Sequence, residues 1–403
     1  MKNISRRFIL GMYNGSMKRT IEQVDVSGKR ILMRVDFNVP LQDGVITDDR
    51  RIIMSLPSIR SVLERGGKVT LMSHLGRPKG EGYESQYSLK PVAKRLEELL
   101  DIPVHFGDDD PDAEIVLLEN VRFDAGEKTG STTFSEKLAT LGDIYCNDAF
   151  GTAHRNHASM VGVPQLMEGK PRVAGLLLAS ELQYLGDAIE HAEKPFVAVL
   201  GGIKVSDKMD AIKHLLGKVD TILIGGAMAY TFLVATGKEV GKSLVERDRI
   251  QDAKEMLDAA AASSTELRLP HDHVCAQQIA KGTSVQVTND PIPEGWMGVD
   301  IGPETQSKYT GTLLHAKTIV WNGPMGAFET PPFDEGTRQV AEAIAKATTN
   351  GAVSIVGGGD SAAAITTFEL EAQITHISTG GGASLQMLEG KSFNSVELLD
   401  NPL

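Results

Sequence analysis

The sequence predicts an α/β protein made of two doubly wound parallel-sheet domains, Rossmann-like in layout, joined by an interdomain helix. Three observations predict it. Runs of four to six β-branched or aliphatic residues alternate along the whole chain with stretches of helical periodicity, the pattern of parallel strands with crossover helices. The turns that follow these runs are rich in glycine, which makes up 41 of 403 residues against a usual share of about 7%. Finally, 403 residues exceed what one core of roughly 150 residues accounts for.

Along the chain, residues 1–16 read as an extension without a place in either domain. Ser5-Arg6-Arg7-Phe8-Ile9-Leu10 loosely resembles a twin-arginine export signal, but such a signal needs an apolar stretch of about 7–15 residues, and Tyr13-Asn14-Gly15 breaks the run after Met12. The first domain is expected over 17–173, with strands at Arg30 to Val35, Val69 to Met72, Ile115 to Leu118 and Ile144 to Cys146. Such near-continuous apolar strands are those covered by helices on both faces. Residues 174–189, AGLLLASELQYLGDAI, carry apolar residues at helical spacing and lack the composition of a flexible linker, so they read as the joining helix. The second domain, 190–390, has strands at Phe196 to Leu200, Thr221 to Ile224, Thr318 to Trp321, Val353 to Val356 and His376 to Ser378. A tail, 391–403, offers Val396, Leu398 and Leu399 for docking.

A net charge of −12 argues against nucleic acid or an anionic membrane as partner, since either calls for a basic surface. An anionic ligand would have to meet a local basic cluster. Cys146 and Cys275 stand far apart, which fits a reducing, cytoplasmic setting and no structural zinc. No run approaches the ~18 apolar residues of a membrane span.

In open parallel sheets ligands bind beyond the carboxyl ends of the strands, so the residues just after each strand matter most. In the second half these are Gly201-Gly202-Ile203-Lys204 with Ser206-Asp207-Lys208, Gly225-Gly226-Ala227, Asn322-Gly323-Pro324, Gly357-Gly358-Gly359-Asp360-Ser361 and Gly380 to Ser384. One glycine-rich turn is an ordinary tight connection; five at one sheet edge point to phosphate, because a backbone without Cβ can bring N–H groups close at a helix N-terminus. Lys204 and Lys208, four apart, can face one phosphate chain or remain a solvated pair. Asp360 suits a Mg²⁺ ligand, which takes one or two carboxylates beside phosphate oxygens, and equally a helix N-cap. The stretch Gly237 to Ser243 ends in Gly-Lys-Ser but has Thr236 where a phosphate loop needs glycine, so that reading is rejected.

The first half ends its strands differently: Asp36 and Asn38; Ser73-His74-Leu75-Gly76-Arg77; Glu119-Asn120-Val121-Arg122; and Asn147-Asp148-Ala149-Phe150 leading to His154-Arg155-Asn156-His157. Arg51 opens the next helical stretch. Any one of these arginines reads as a surface ion-pair partner. Arg51, His74, Arg77, Arg122 and Arg155 together would form a basic basin for an anion, with guanidinium forks matched to carboxylate and phosphate.

These residues lie in nine ordered blocks: RVDFNVP, SHLGRP, LENVRF, NDAFGTAHR, GGIKVSDK, WMGVDIGP, WNGPMGAFE, GGGDS and STGGGAS. Through them the chain resembles the phosphoglycerate kinases from about Met17 to Lys391. The resemblance implies a phosphotransferase of glycolysis and gluconeogenesis that passes the acyl phosphate of 1,3-bisphosphoglycerate to MgADP, giving 3-phosphoglycerate and MgATP. It implies a monomer whose domains close during turnover. It places Asp36, Asn38, Arg51, His74, Arg77, Arg122 and Arg155 on the acid, with Lys204 stabilising the migrating phosphoryl group and Arg51 completing the clamp. It further implies Lys208 on nucleotide phosphate, Asp360 on the metal, Glu329 on the ribose, Gly225, Gly226, Val299 and Pro324 around the adenine, and Gly298 among the nucleotide-binding residues. Asn322, Gly358, Gly359 and Ser361 complete the nucleotide side. Ile203 departs from the small residue usual in the family, and the segment between Phe106 and Ile115 and the C-terminal end are shorter than expected. A dinucleotide dehydrogenase lacks support, since no strand leads into G-x-G-x-x-G. A non-catalytic nucleotide-binding protein on this scaffold is the remaining alternative, set against by the presence of Arg51, Lys204 and Asp360.

Overall fold

The computed structural model describes residues 18–402, and the expected extension at 1–16 lies outside the described residues. The chain divides into two compact units: one runs to Gln183 and includes Phe393–Leu403, the other is Tyr184–Ser392.

The first unit is built on β1 (Arg30–Val35), the short hairpin β2 (Leu41–Gln42) and β3 (Val45–Ile46), then β4 (Lys68–Met72), β5 (His105–Gly107), β6 (Ile115–Leu118), β7 (Ile144–Asp148) and β8 (Arg172–Ala174). Six of these form one sheet in the order β5-β6-β4-β1-β7-β8, every pairing parallel. Central β1 is buried from Ile31 to Val35, as expected of a strand covered on both faces. Its Met33 stands level with Leu71 of β4 and Cys146 of β7. One face packs Ile31, Met33 and Val35 against Ile59 and Val62 of the helix Arg50–Leu63 and Leu96 of the helix Lys90–Leu100. The chain leaves β1 toward β4 on one side and returns to it through β7 on the other, so the sheet's switch point lies between β1 and β7.

The C-terminal residues pack on this same unit. The Ser395 hydroxyl donates to the carbonyl of Ala153 at 2.7 Å, Asp400 accepts the Arg172 N–H at 2.9 Å, and Leu399 is buried.

The second unit holds β9 (Phe196–Leu200), β10 (Thr221–Ile224), β11 (Glu266–Arg268), β12 (Asp272–Ala276), β13 (Val285–Asn289), β14 (Met297–Ile301), β15 (Thr318–Asn322), β16 (Val353–Gly357) and β17 (His376–Ile377). The main sheet runs β11-β10-β9-β15-β16-β17, again parallel throughout. Its switch point falls between β9 and β15. Trp321, wholly buried, packs with Val199, Ile344 and Val356, a cluster in which each filled position contributes about 1.5–3 kcal/mol of burial.

The structure departs from the sequence expectation in several places: the hairpin β2/β3 and the edge strands β5, β8 and β11 were not expected. The expected helix at 174–189 begins only at Leu176, because Ala174 still pairs in β8 beside Asn147, and it passes through a wide turn at Gln183–Asp187 before ending at Glu190. A three-stranded antiparallel sheet, β13-β12-β14, was not foreseen.

Candidate functional site

In the second unit the loops after β9 and β15 are stitched together. Gly201 N–H donates to the carbonyl of Asn322 and Gly202 N–H to that of Pro324, both at 3.0 Å. A Cβ at Gly201 would sit 2.1 Å from the Pro324 carbonyl oxygen, so only glycine allows this approach. The following loop is tied down by Ser206, whose N–H and hydroxyl both donate to Glu246, at 3.0 and 2.6 Å. Lys204 on this loop is exposed. Lys208 is mostly buried, and its ammonium donates to Asn322 Oδ1. Burial pulls its pKa below the usual lysine value, against the raising effect of Asp207, Asp360 and Glu389.

After β16, Gly358 takes φ +90°, a conformation open chiefly to glycine, and turns the chain into the helix Gly359–Thr367 with Asp360 in its first turn. Ser361 holds this junction: its hydroxyl oxygen accepts the Gly323 N–H at 2.6 Å. Lys204, Lys208, Asn322, Gly358, Gly359, Asp360 and Ser361 thus line one cavity of about 350 Å³. The Asn322 Nδ2 is buried without a partner, a donor available to an incoming anion. Gly381 and Gly382, part of the glycine series but not among the expected binding residues, also line this cavity.

The expected adenine residues and Gly298 do not line that cavity; they fall into two further groups. Gly225 and Gly226 pack on Met325: a Cβ at Gly225 would lie 2.4 Å from its sulfur, and Gly226 N–H donates to its carbonyl at 2.9 Å. Pro324 adjoins them. Gly298 gives its N–H to the Ser243 hydroxyl at 2.9 Å, and Val299 accepts the Ala327 N–H at 2.9 Å, bringing the loop that carries exposed Glu329 to β14.

In the first unit Asp36, just past β1, receives Arg51 Nη1 at 2.6 Å and lies 3.8 Å from His74 Nδ1. Asn38 accepts the Gly76 N–H at 2.8 Å, and Arg122 donates to the Gly76 carbonyl at 2.8 Å. Five of the expected residues, Asp36, Asn38, Arg51, His74 and Arg122, are thereby tied to the same two turns. Arg122 Nε is buried and unpaired; burial, with Arg34 close by, pulls its pKa down to about 10. Arg77 and Arg155 are exposed.

The sequence reading missed the charged layer beneath this basin. Arg34, one residue from the carboxyl end of β1, is wholly buried, as is Glu127. His154 and His157, in the stretch that follows the fourth strand, had no role assigned to them. His157 is pulled down to about 4, first by burial and then by Arg122, Arg34 and Arg155. The available signal was an arginine interrupting the apolar run Ile31-Leu32-Met33-Arg34-Val35.

Comparison with known proteins bears on both sites. The family model described as phosphoglycerate kinase matches residues 21–391. The phosphoglycerate kinase of Rhodopirellula baltica is 56% identical over 399 residues, covering 95% of this chain and 99% of that protein. That of Thermosipho africanus is 51% identical over 398 residues, covering 95% and 98%. Among solved structures, phosphoglycerate kinase from Coxiella burnetii superimposes with a TM-score of 0.87 at 40% identity, covering 94% of this chain and 98% of that one. The enzyme from Pyrococcus horikoshii gives 0.81 at 33% identity over the same shares, 94% and 98%. Matches of this depth, running through every strand end described above, make the chain a member of the phosphoglycerate kinase family, and so a kinase that acts as a phosphotransferase.

Proposed function

We propose that the first unit binds 3-phosphoglycerate or 1,3-bisphosphoglycerate, that the second binds ADP or ATP, and that this chain's residues catalyse transfer of the acyl phosphate mainly by positioning and charge. The observation that carries the proposal is the cavity at the β9/β15 switch point, where Lys204, Lys208, the unpaired amide donor of Asn322 and the carboxylates of Asp207 and Asp360 converge.

Lys208, tethered to Asn322, holds a nucleotide phosphate in the ground state. The exposed Lys204 reaches the migrating phosphoryl group, whose three equatorial oxygens carry the transition-state charge. Gly201, Gly202, Gly358 and Gly359 let backbone approach those oxygens, and Asn322 Nδ2 adds a donor. Arg51, held by Asp36, presents its guanidinium to the acid, with Asn38, His74, Arg77, Arg122 and Arg155 around it. The adenine is assigned to Gly225, Gly226, Val299 and Pro324, the ribose to Glu329, and Gly298 to the nucleotide side. Neither direction needs a general base: a nucleotide phosphate oxygen attacks the acyl phosphate, and in reverse an ionised carboxylate attacks ATP.

The residues present suit magnesium. Among the described residues no group of three or more acidic, histidine or cysteine side chains could hold a metal, so a cation here would be held by Asp360 together with nucleotide phosphates and water, the usual habit of Mg²⁺. Its chemistry would be neutralisation of β- and γ-phosphate charge. Among the described residues no helix is long and apolar enough to cross a membrane, and a cytoplasmic monomer is the form we assign. Oxidation of NADH, coupled through glyceraldehyde-3-phosphate dehydrogenase to 3-phosphoglycerate, ATP and magnesium, tests the whole reading. No turnover with well-folded protein overturns it in favour of a binding protein on this scaffold.

A further inference from the structure

We propose that Arg34 is a positioning residue that fixes His74 as the neutral tautomer with its proton on Nε2, so that His74 meets the acid as a hydrogen-bond donor. The proposal rests on the assignment of His74 to the acid site.

The argument starts from the donor inventory. Arginine has five N–H groups and no acceptor. Arg34 Nη2 lies 3.2 Å from His74 Nδ1, so Nδ1 accepts and cannot carry a proton. A neutral imidazole then carries its proton on Nε2. Asp36 does not compete for a proton on Nδ1, since its carboxylate is 3.8 Å away, beyond hydrogen-bond reach.

The guanidinium itself cannot turn away. Its Nε donates to Ser159 Oγ at 2.8 Å, and that hydroxyl donates to Glu127 Oε1 at 2.7 Å. Glu127 Oε2 accepts the Ser159 N–H at 2.9 Å, and Arg34 Nη1 donates to the Val35 carbonyl. Arg34 and Glu127 are both wholly buried and so form an opposite pair bridged by one hydroxyl. A buried charge of this kind is costly unless its hydrogen bonds are complete, and an apolar residue would suit the packing of β1 better. The arginine's planar fork, unlike the point charge of lysine, holds one direction toward His74.

The surroundings keep the ring neutral. The charged and titratable groups facing His74 are Arg34, Arg51, Arg122, His157 and Asp36; burial first and then Arg34, Arg122, Arg51 and His157 push its pKa well below the usual histidine value. Where one might expect an imidazolium to neutralise an anion, this basin leaves that to the arginines and uses the histidine as a fixed dipole.

The test is the ¹H–¹⁵N two-bond spectrum of the full chain labelled at histidine, with His74→Gln identifying the His74 signals. Between pH 6 and 8 the expected pattern is protonated Nε2 and unprotonated Nδ1. An Nδ1–H tautomer, or an imidazolium in that range, overturns the proposal, and this measurement needs no variant of Arg34. In Arg34→Met, which removes the donor facing Nδ1, the Nε2–H pattern should give way to mixed tautomers, with KM for 3-phosphoglycerate rising on the order of tenfold and kcat changing far less; an unaltered His74 pattern in folded Arg34→Met overturns the proposal. Titration with 3-phosphoglycerate should move the wild-type Nε2–H signal. A correct tautomer that ignores the acid would instead overturn the assignment of His74 to the acid site.

Discussion

Lys204 and Lys208 are four residues apart on the loop after β9 and have opposite surroundings. Lys208 is mostly buried and bonded to Asn322, so its contribution exists before any reaction starts. Lys204 is exposed on a loop pinned by Ser206 and Glu246 and gains most when charge gathers on the moving phosphoryl group. Only the second kind of contact speeds the chemical step. Lys204→Ala should therefore lower kcat on the order of 10²- to 10³-fold while the KM for nucleotide changes a few-fold, and Lys208→Ala should chiefly raise that KM. Steady-state kinetics of both variants decide this, and a Lys204→Ala enzyme with unchanged kcat would remove it from the transition state. At this scale the sequence was legible where chemistry-bearing residues follow a strand: Asp36, His74, Arg122 and Lys208 all stand at such ends. It was not legible at Arg34, because neither strand periodicity nor composition says that an arginine inside β1 points at a histidine forty residues on.

The strands and their connections carry strain and charge that no single residue explains. Gly201 follows β9 and lies against the backbone of Gly323 and Pro324, and a methyl group there would meet their carbonyl oxygens at 2.7 and 2.1 Å. The Met325 methyl, 2.7 Å away, can move aside but the two carbonyls are backbone and cannot, so Gly201→Ala should cost about 1–3 kcal/mol and open the β9/β15 junction, seen as a lower urea midpoint together with weaker nucleotide binding. At the end of β7, Asp148 is wholly buried and accepts the Leu178 N–H of the helix Leu176–Leu182 at 3.1 Å. Burial pushes its pKa up to about 7, only partly opposed by bonds from Ser58, Leu178 and Leu177. The folded state thus holds a proton that the unfolded chain, with an aspartate near 3.9, has already released. From about pH 4 to pH 7 this group makes stability fall as pH rises, and above pH 7 its penalty is constant. Asp148→Asn, which keeps the acceptor for Leu178, should flatten that slope and gain stability at pH 8 relative to wild type in urea unfolding; an unchanged slope would show the carboxylate to be ionised throughout. The parallel strands were readable because burial on both faces leaves an unbroken apolar run. The antiparallel strand β13 was not, because Val285 and Val287 face solvent and its alternation points to no core.

On the scale of the whole molecule each unit has its own core and its own sheet switch point, and the last residues belong with the first unit. Phe393 and Leu399 are buried, and Ser395 and Asp400 bond to Ala153 and Arg172. Deleting Phe393–Leu403 should therefore destabilise the first unit by several kcal/mol, since each of the two large apolar side chains contributes about 1.5–3 kcal/mol when buried, while leaving nucleotide affinity of the second unit nearly intact. The same separation gives a direct check of which unit takes which ligand. A ligand that binds only the native state stabilises what it touches by RT ln(1 + [L]/Kd), and local opening reports where that stabilisation falls. In hydrogen exchange, 3-phosphoglycerate should slow the amides at the ends of β1, β4 and β6, including Gly76 and Arg122, whose N–H groups bond to Asn38 and Asn120. ADP with magnesium should slow Gly201, Gly202 and Gly323, whose N–H groups bond to the Asn322 and Pro324 carbonyls and the Ser361 hydroxyl. Protection by the acid alone confined to the β9, β15 and β16 loops, or by the nucleotide alone confined to the Asp36, Arg51 and His74 cluster, would reverse the assignment of the two sites.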